Sequence, residues 1–311
     1  MTYPGSKEAD VDLRKTPAGS SSGSAVAIAA GFSPLTIGTE ANGSIVQPAI
    51  RAAAYGLKGT VDDVIMKGTQ SGGAAFDSAG PIAKSAEDCA DVMDILLPGR
   101  DFCSHLTKSW NGIRIAYLDY KTWQFPDSMC EKTPDFDIQH ELEMLKALRK
   151  VESLGARVTY NAPLMSLPEI NKKYKTVTMR EIIKQPSQQV LENGLNDNMT
   201  DEQYHIGLAH LRQSVRHAVQ MCLDESNADV IMASGETLLP RTAACAGYPI
   251  GSSDDLKEYV VDKNYGSKTY STVSKKNLSI AQDQTYPTTI TLYPSTFTNP
   301  QATANLGSNA P

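Results

Sequence analysis

Two serine-bearing loops hold the residues of this chain best suited to chemistry. The first is Gly19-Ser20-Ser21-Ser22-Gly23-Ser24, a run of small residues that an ordinary core element does not use. The second is Gly38-Thr39-Glu40-Ala41-Asn42-Gly43-Ser44. Glycine permits backbone conformations closed to other residues, and serine carries a short hydroxyl that bonds nearby backbone groups. Such a hydroxyl attacks a substrate only when a neighbouring base removes its proton. Between the loops, Ala25–Ala30 reads as a close-packed helix stopped by Gly31, and Leu35-Thr36-Ile37 as a short apolar strand. One helix and one strand between two hydroxyl-bearing loops can bring the loop tips together. On its own the Ser20–Ser24 run also fits a flexible linker, and the second loop is what argues for a site.

GSSSGS followed by GTEANGSIVQPA resembles the amidase signature family of serine hydrolases. The similarity continues through Arg51–Thr60, Asp77–Ser85 and Ala243–Ile250, and covers roughly residues 17–250. The resemblance implies a Ser–cis-Ser–Lys triad. In it Ser44 is the nucleophile and Ser20, following a cis peptide bond, relays the proton. The backbone N–H groups of Ala41, Asn42 and Gly43 then form the oxyanion hole. Asn42 stands where the family often has Asp, and Ala41 where it often has Thr; both changes leave the backbone donors in place. The family's base is a lysine on an upstream strand reading roughly Val-Lys-Asp, kept neutral by its surroundings. No such motif precedes Ser44, so a catalytic lysine is not found.

Three readings stay open: a chain without its first segment, a binding protein that retains the pocket, or a substitute base among Lys7, Lys15 and Lys84. Lys58, in YGLKGT, reads as structural. A competent chain is expected to cleave the carbon–nitrogen bond of a small-molecule carboxamide through an acyl-enzyme on Ser44. A catalytically dead amidase-like binding protein, an amidase fragment and an amidotransferase-type subunit that passes ammonia to a misacylated tRNA are the alternatives. No metal and no organic cofactor is implied, and protein partners are not legible.

With 311 residues, 41% hydrophobic and 21% charged, the chain is long enough to bury a sizeable core. A net charge of -6 without a basic arm gives no footprint for nucleic acid. No apolar run approaches the ~20 residues of a membrane span. The first residues lack the apolar core of a secretory signal, and Cys89, Cys103, Cys130, Cys222 and Cys245 show no paired spacing. These features point to a cytoplasmic protein with reduced thiols. His210 and His217 stand seven residues apart, too far along a helix for one metal ion, and read as solvated or part-packed.

The elements that position the serines form an α/β pattern. Ser85-x-x-Asp88 opens a helix that runs to Pro98-Gly99. Trp110–Leu118 is a strand, Pro134–Gly155 a helix with apolar residues Ile138, Leu142, Leu145, Leu148 and Val151, and Ala156–Tyr160 a strand. That succession predicts parallel pairing through a helical crossover. Residues 169–193 read as interrupted helix, and Thr200 opens a long one. Asp229–Ala233 is a buried strand, and Thr242–Gly247 a small-residue helix. The expectation is an α/β/α layered amidase-signature fold around a mixed β-sheet, incomplete. It divides into a polar segment (1–16), a partial amidase-signature domain (17–250) and a low-complexity, disordered or loosely draped tail (251–311) in which the family's closing strands are not legible. Loss of those strands would leave an unpaired sheet edge.

Overall fold

Ser85 shows how local chemistry sets the elements. Its hydroxyl accepts the Asp88 N–H at 3.0 Å and so starts the helix Ala86–Leu96 at the expected residue. Replacing Ser85 with alanine is expected to cost about 1 kcal/mol, read as a lower urea midpoint at unchanged slope. Thr200 does the same for the longest helix among the described residues, in a reciprocal cap with Gln203.

The computed structural model describes residues 17–69, 73–126, 136–178, 199–235, 237–253 and 288–292. In chain order the elements are α1 (Ser22–Ala29), β1 (Leu35–Glu40), α2 (Val46–Arg51), β2 (Tyr55–Lys58), β3 (Ser78–Ala83), α3 (Ala86–Leu96), β4 (Arg114–Tyr117) and α4 (Tyr120–Trp123). Then follow α5 (Phe136–Ser153), β5 (Arg157–Tyr160), α6 (Leu167–Tyr174), α7 (Asp201–Ser226), β6 (Val230–Ser234), α8 (Leu239–Ala246), β7 (Ile250–Ser253) and β8 (Thr288–Leu292).

Among the described residues the strands form one eight-stranded sheet in the order β1-β3-β2-β7-β8-β6-β4-β5. β4 runs parallel to β5 and β6, and every other pair is antiparallel, so the sheet is mixed. Alternation along the strands supplies the two helical layers. Ile115, Tyr117, Val230 and Met232 face Met144, Leu148 and Val151 of α5, and Leu57 and Ala79 face Ala90 and Met93 of α3. On the opposite face Ala116, Ile231 and Ala233 meet α7 and α8, while Ile82 meets Ile28 of α1 and Ala49 of α2. The result is the expected α/β/α layering.

The structure corrects the sequence reading at three places. The strand at Leu35 extends to Glu40, so Gly38, Thr39 and Glu40 belong to the sheet and the second loop begins at Ala41. On α5 the buried residues are His140, Met144, Leu148 and Val151, while Ile138 and Leu142 are exposed. The inward face therefore keeps Leu148 and Val151 but is turned by about a quarter turn from the one the apolar residues alone suggest, and His140 has a polar partner inside. Finally, β7 and β8 fall within or at the border of the segment expected to be a loosely draped tail. β8 lies between β6 and β7, in the interior of the sheet, where both its edges are paired. Thr-Thr-Ile-Thr-Leu is short but rich in β-branched residues, which suits a pleated surface. The remainder of 251–311 and the interrupted half of 169–193 lie largely outside the described residues. Between Val61 and Gly73 the described residues form turns.

At the outer edge of the sheet, β1 is closed off by its own neighbour. Ser24 Oγ donates to the Ile37 carbonyl at 2.9 Å, and Ser21 Oγ exchanges hydrogen bonds with Thr39. The serines of the first loop thus hold α1 against the strand that leads to the second.

Candidate active site

The two loops meet. The Ser21 N–H donates to the Ser44 carbonyl at 3.0 Å, which draws the start of α1 onto the turn before α2. Ser20 is exposed and preceded by a cis peptide bond from Gly19, and Ser44 is half-buried.

Glu40, at the end of β1, shapes the turn between them. It is buried, and its Oε2 accepts the N–H groups of Ile45 (2.7 Å) and Val46 (2.9 Å). Two amides of the first turn of α2 are thereby satisfied by one carboxylate, and residues 41–44 are folded back over it. Gly43 adopts φ +89°, a left-handed conformation that a side chain would strain; a Cβ there would also press on Gln47 Cγ at 3.1 Å. The N–H groups of Ala41, Asn42, Gly43 and Ser44 donate to no acceptor among the described residues. Backbone donors left open on a rigid turn are what a developing oxyanion needs.

Gln47 joins this turn to the far half of the sheet. Its own N–H donates to the Gly43 carbonyl at 2.9 Å, and its side chain donates from Nε2 to the Gly235 carbonyl at 2.7 Å. Gly235 follows β6. Just before it, Ser234 Oγ is hydrogen-bonded to His140 Nε2 at 2.5 Å, with both residues 1% exposed. The imidazole lies against the rings of Tyr120 and Phe136, with centroids at 4.0 and 5.6 Å. Thr237 Oγ1 donates to the Ser234 carbonyl, and the Leu238 N–H to the Trp123 carbonyl, so the segment after β6 is held at several points.

Beneath Glu40 lies a buried cation. Lys58, on the same sheet face as Glu40 and two strands away, is 0% exposed and donates to the Tyr248 carbonyl at 3.3 Å. Burial pushes its ammonium down from 10.5 to about 8, against the opposing pull of Glu40 and with help from Arg212. Of the substitute bases, Lys84 is exposed, with its ammonium against the Ala53 carbonyl. Lys7 and Lys15 lie outside the described residues.

Neither Gln47 nor His140 stands out in the sequence by pattern alone. The apolar stripe read from the sequence does not include position 140, and Gln47 lies in a helix of six residues, so spacing supplies no signal for either. His210 and His217 gather no metal-binding group among the described residues, and His217 meets the Tyr174 ring edge-on. Cys89, Cys222 and Cys245 are buried free thiols, and Cys103 is a half-buried one. Among the described residues no helix is long and apolar enough to cross a membrane.

The family profile described as Amidase matches residues 8–227. A glutamyl-tRNA(Gln) amidotransferase subunit from Alkaliphilus metalliredigens is 32% identical over 160 residues, which cover 47% of this chain and 30% of that protein. The protein of the same name from Deinococcus radiodurans is 44% identical over 85 residues, 27% of this chain and 18% of its own length. The chain therefore spans about a third or less of these relatives. Among solved structures, the peptide amidase of Stenotrophomonas maltophilia is similar with TM-score 0.60 and 21% identity, over 90% of this chain and 62% of that one. The corresponding glutamyl-tRNA(Gln) amidotransferase subunit from Thermotoga maritima is similar with TM-score 0.58 and 19% identity, over 91% and 64%. At these identities the structural likeness supports the fold.

Proposed function

This chain belongs to the amidase family, and from that premise we propose that it cleaves the carbon–nitrogen bond of a carboxamide through an acyl-enzyme on Ser44. The observation that carries the reading is the junction of the two serine loops through Ser21 and Ser44, beside a turn whose backbone donors are open. Ser44 Oγ attacks the carbonyl carbon, and its proton passes to Ser20 Oγ as the Ser20 hydroxyl proton moves on to the nitrogen that will leave. The tetrahedral oxygen is held by the N–H groups of Ala41, Asn42 and Gly43. Collapse breaks the carbon–nitrogen bond and leaves the ester, the nitrogen departing as ammonia or an amine with the proton relayed through Ser20; water then attacks the ester, its proton returns through Ser20 to Ser44 Oγ, and the acid is released. The base beyond Ser20 is assigned neither to Lys84, on the surface, nor to Lys58, bound to the Tyr248 carbonyl.

A fluorophosphonate probe tests this directly. Labelling is expected on Ser44, with loss of the adduct in Ser44→Ala and labelling at least about a hundredfold slower in Ser20→Ala, since general-base assistance contributes about 10²–10⁴. Equal adduct in wild type and Ser44→Ala would reduce the chain to an amidase-like binding protein.

The names of the relatives favour a second reading with the same first half-reaction. In an amidotransferase the released ammonia is passed on instead of lost, and other subunits complete the reaction. Glutaminase activity that appears only on adding such subunits would select it over a free-standing amidase.

A further inference from the structure

We propose that His140 and Gln47 are positioning residues for the turn that carries Ser44, acting through the segment that follows β6; the proposal rests on Ser44 being the reacting serine. The connections form one continuous path. His140 Nε2 bonds Ser234 Oγ, the next residue's carbonyl accepts Gln47 Nε2 at 2.7 Å, and Gln47 in turn takes the Gly43 carbonyl with its own N–H at 2.9 Å. The Gln47 stem and Pro240 of α8 stand 3.1 and 3.7 Å from where a Gly43 side chain would begin, so the turn packs closely against both. His140 itself has little freedom between Tyr120 and Phe136. Ser234 and His140 are both buried too deeply to meet a substrate, which rules out a serine–histidine nucleophile there and leaves a mechanical role.

The path matters because its two ends belong to different parts of the fold. The serine loops sit on the antiparallel strands β1–β3, whereas His140 and Ser234 sit on the parallel β4–α5–β6 part. An oxyanion turn is effective only if it is held still relative to the acyl carbon. Gln47 is the tether between the two parts, and His140 fixes the tether's anchor.

Hydrogen exchange of the purified full chain, followed by mass spectrometry, tests the proposal without requiring activity. Gln47→Met and His140→Phe are each expected to speed exchange of the hydrogen-bonded amides of Ile45, Val46 and Gln47, read in the peptide spanning residues 41–47, by about tenfold, the loss of one buried hydrogen bond of about 1.4 kcal/mol. The double variant should exchange no faster than Gln47→Met, and His140→Gln, which keeps a nitrogen at the Nε2 position, should restore protection. Additive effects, or an effect of His140→Phe confined to residues 120–140 and 230–238, would overturn the proposal. If His140→Phe does not fold, Ser234→Ala removes the same bond and is judged by the same criteria. Fluorophosphonate labelling separates the two claims. Absence of Ser44 labelling in wild type rejects the hydrolase reading, whereas exchange uncoupled between the two segments rejects the positioning pair.

Discussion

Gly80→Ala is expected to destabilise the chain by more than about 3 kcal/mol, with the loss centred on the serine-bearing half of the sheet. A Cβ at position 80 would stand 1.7 Å from the Leu57 carbonyl oxygen and 2.9 Å from its carbon. Both atoms are backbone of β2, so no side-chain rotation relieves the clash. Relief requires β2 and β3 to part, and those strands carry Lys58 and the partner of β1. Urea unfolding followed by far-ultraviolet circular dichroism is the measurement, and Gly23→Ala is the control. A Cβ at Gly23 meets nothing within 4 Å, and the residue lies in α1. The control should therefore gain up to about 1 kcal/mol from helix propensity. Equal midpoints for wild type and Gly80→Ala would mean that β2 and β3 do not approach as described.

Lys58 gives the second large effect, a dependence of stability on pH. Its ammonium titrates near 8 in the folded chain and near 10.5 when exposed. Between those values the unfolded chain binds more protons than the folded one, so this residue's contribution makes the fold more stable as pH rises. The gain is complete above about pH 10.5 and amounts to about 3 kcal/mol, at about 1.36 kcal/mol per unit. The buried thiols act with opposite sign. Burial pushes Cys222 and Cys245 up to about 12, so above pH 9 the unfolded chain loses thiol protons first and the fold weakens. The difference between wild type and Lys58→Met isolates the lysine, because the cysteines are common to both. That difference should shift by about 3 kcal/mol in favour of wild type between pH 8 and 10.5. At pH 7 Lys58→Met faces a separate cost, because Glu40 loses the buried positive charge of Lys58 while still holding the Ile45 and Val46 amides. A difference that stays flat across the pH range would show Lys58 to be solvated.

Position of the helices along the chain was largely legible in the sequence, and the reason is local. Ser85 and Thr200 cap their helices with groups three residues away, and Gly31 and Gly155 take positive φ just beyond helix ends. The strand–helix–strand run from Arg114 to Tyr160 likewise yields a parallel pair through a rule of chain connection. The serine motif was legible for a different reason: its resemblance to the amidase signature singles out Ser20 and Ser44, which spacing alone does not, and the structure joins their loops through Ser21 and the Ser44 carbonyl.

What the sequence by itself determined, then, are the helix starts, the α/β class and the two loops that carry the serines, because each depends on residues within a few positions of one another. The tertiary structure decided the rest. It placed β8 between β6 and β7, turned α5 so that His140 faces inward to Ser234, and set Lys58 below Glu40 across an intervening strand. Each of these joins residues far apart in the chain, and their energies come from burial and from polar groups that find partners only once the sheet has assembled. The Gln47 tether to Gly235 spans 188 positions. No local propensity encodes such a contact, since glutamine at the start of a helix is equally at home in water.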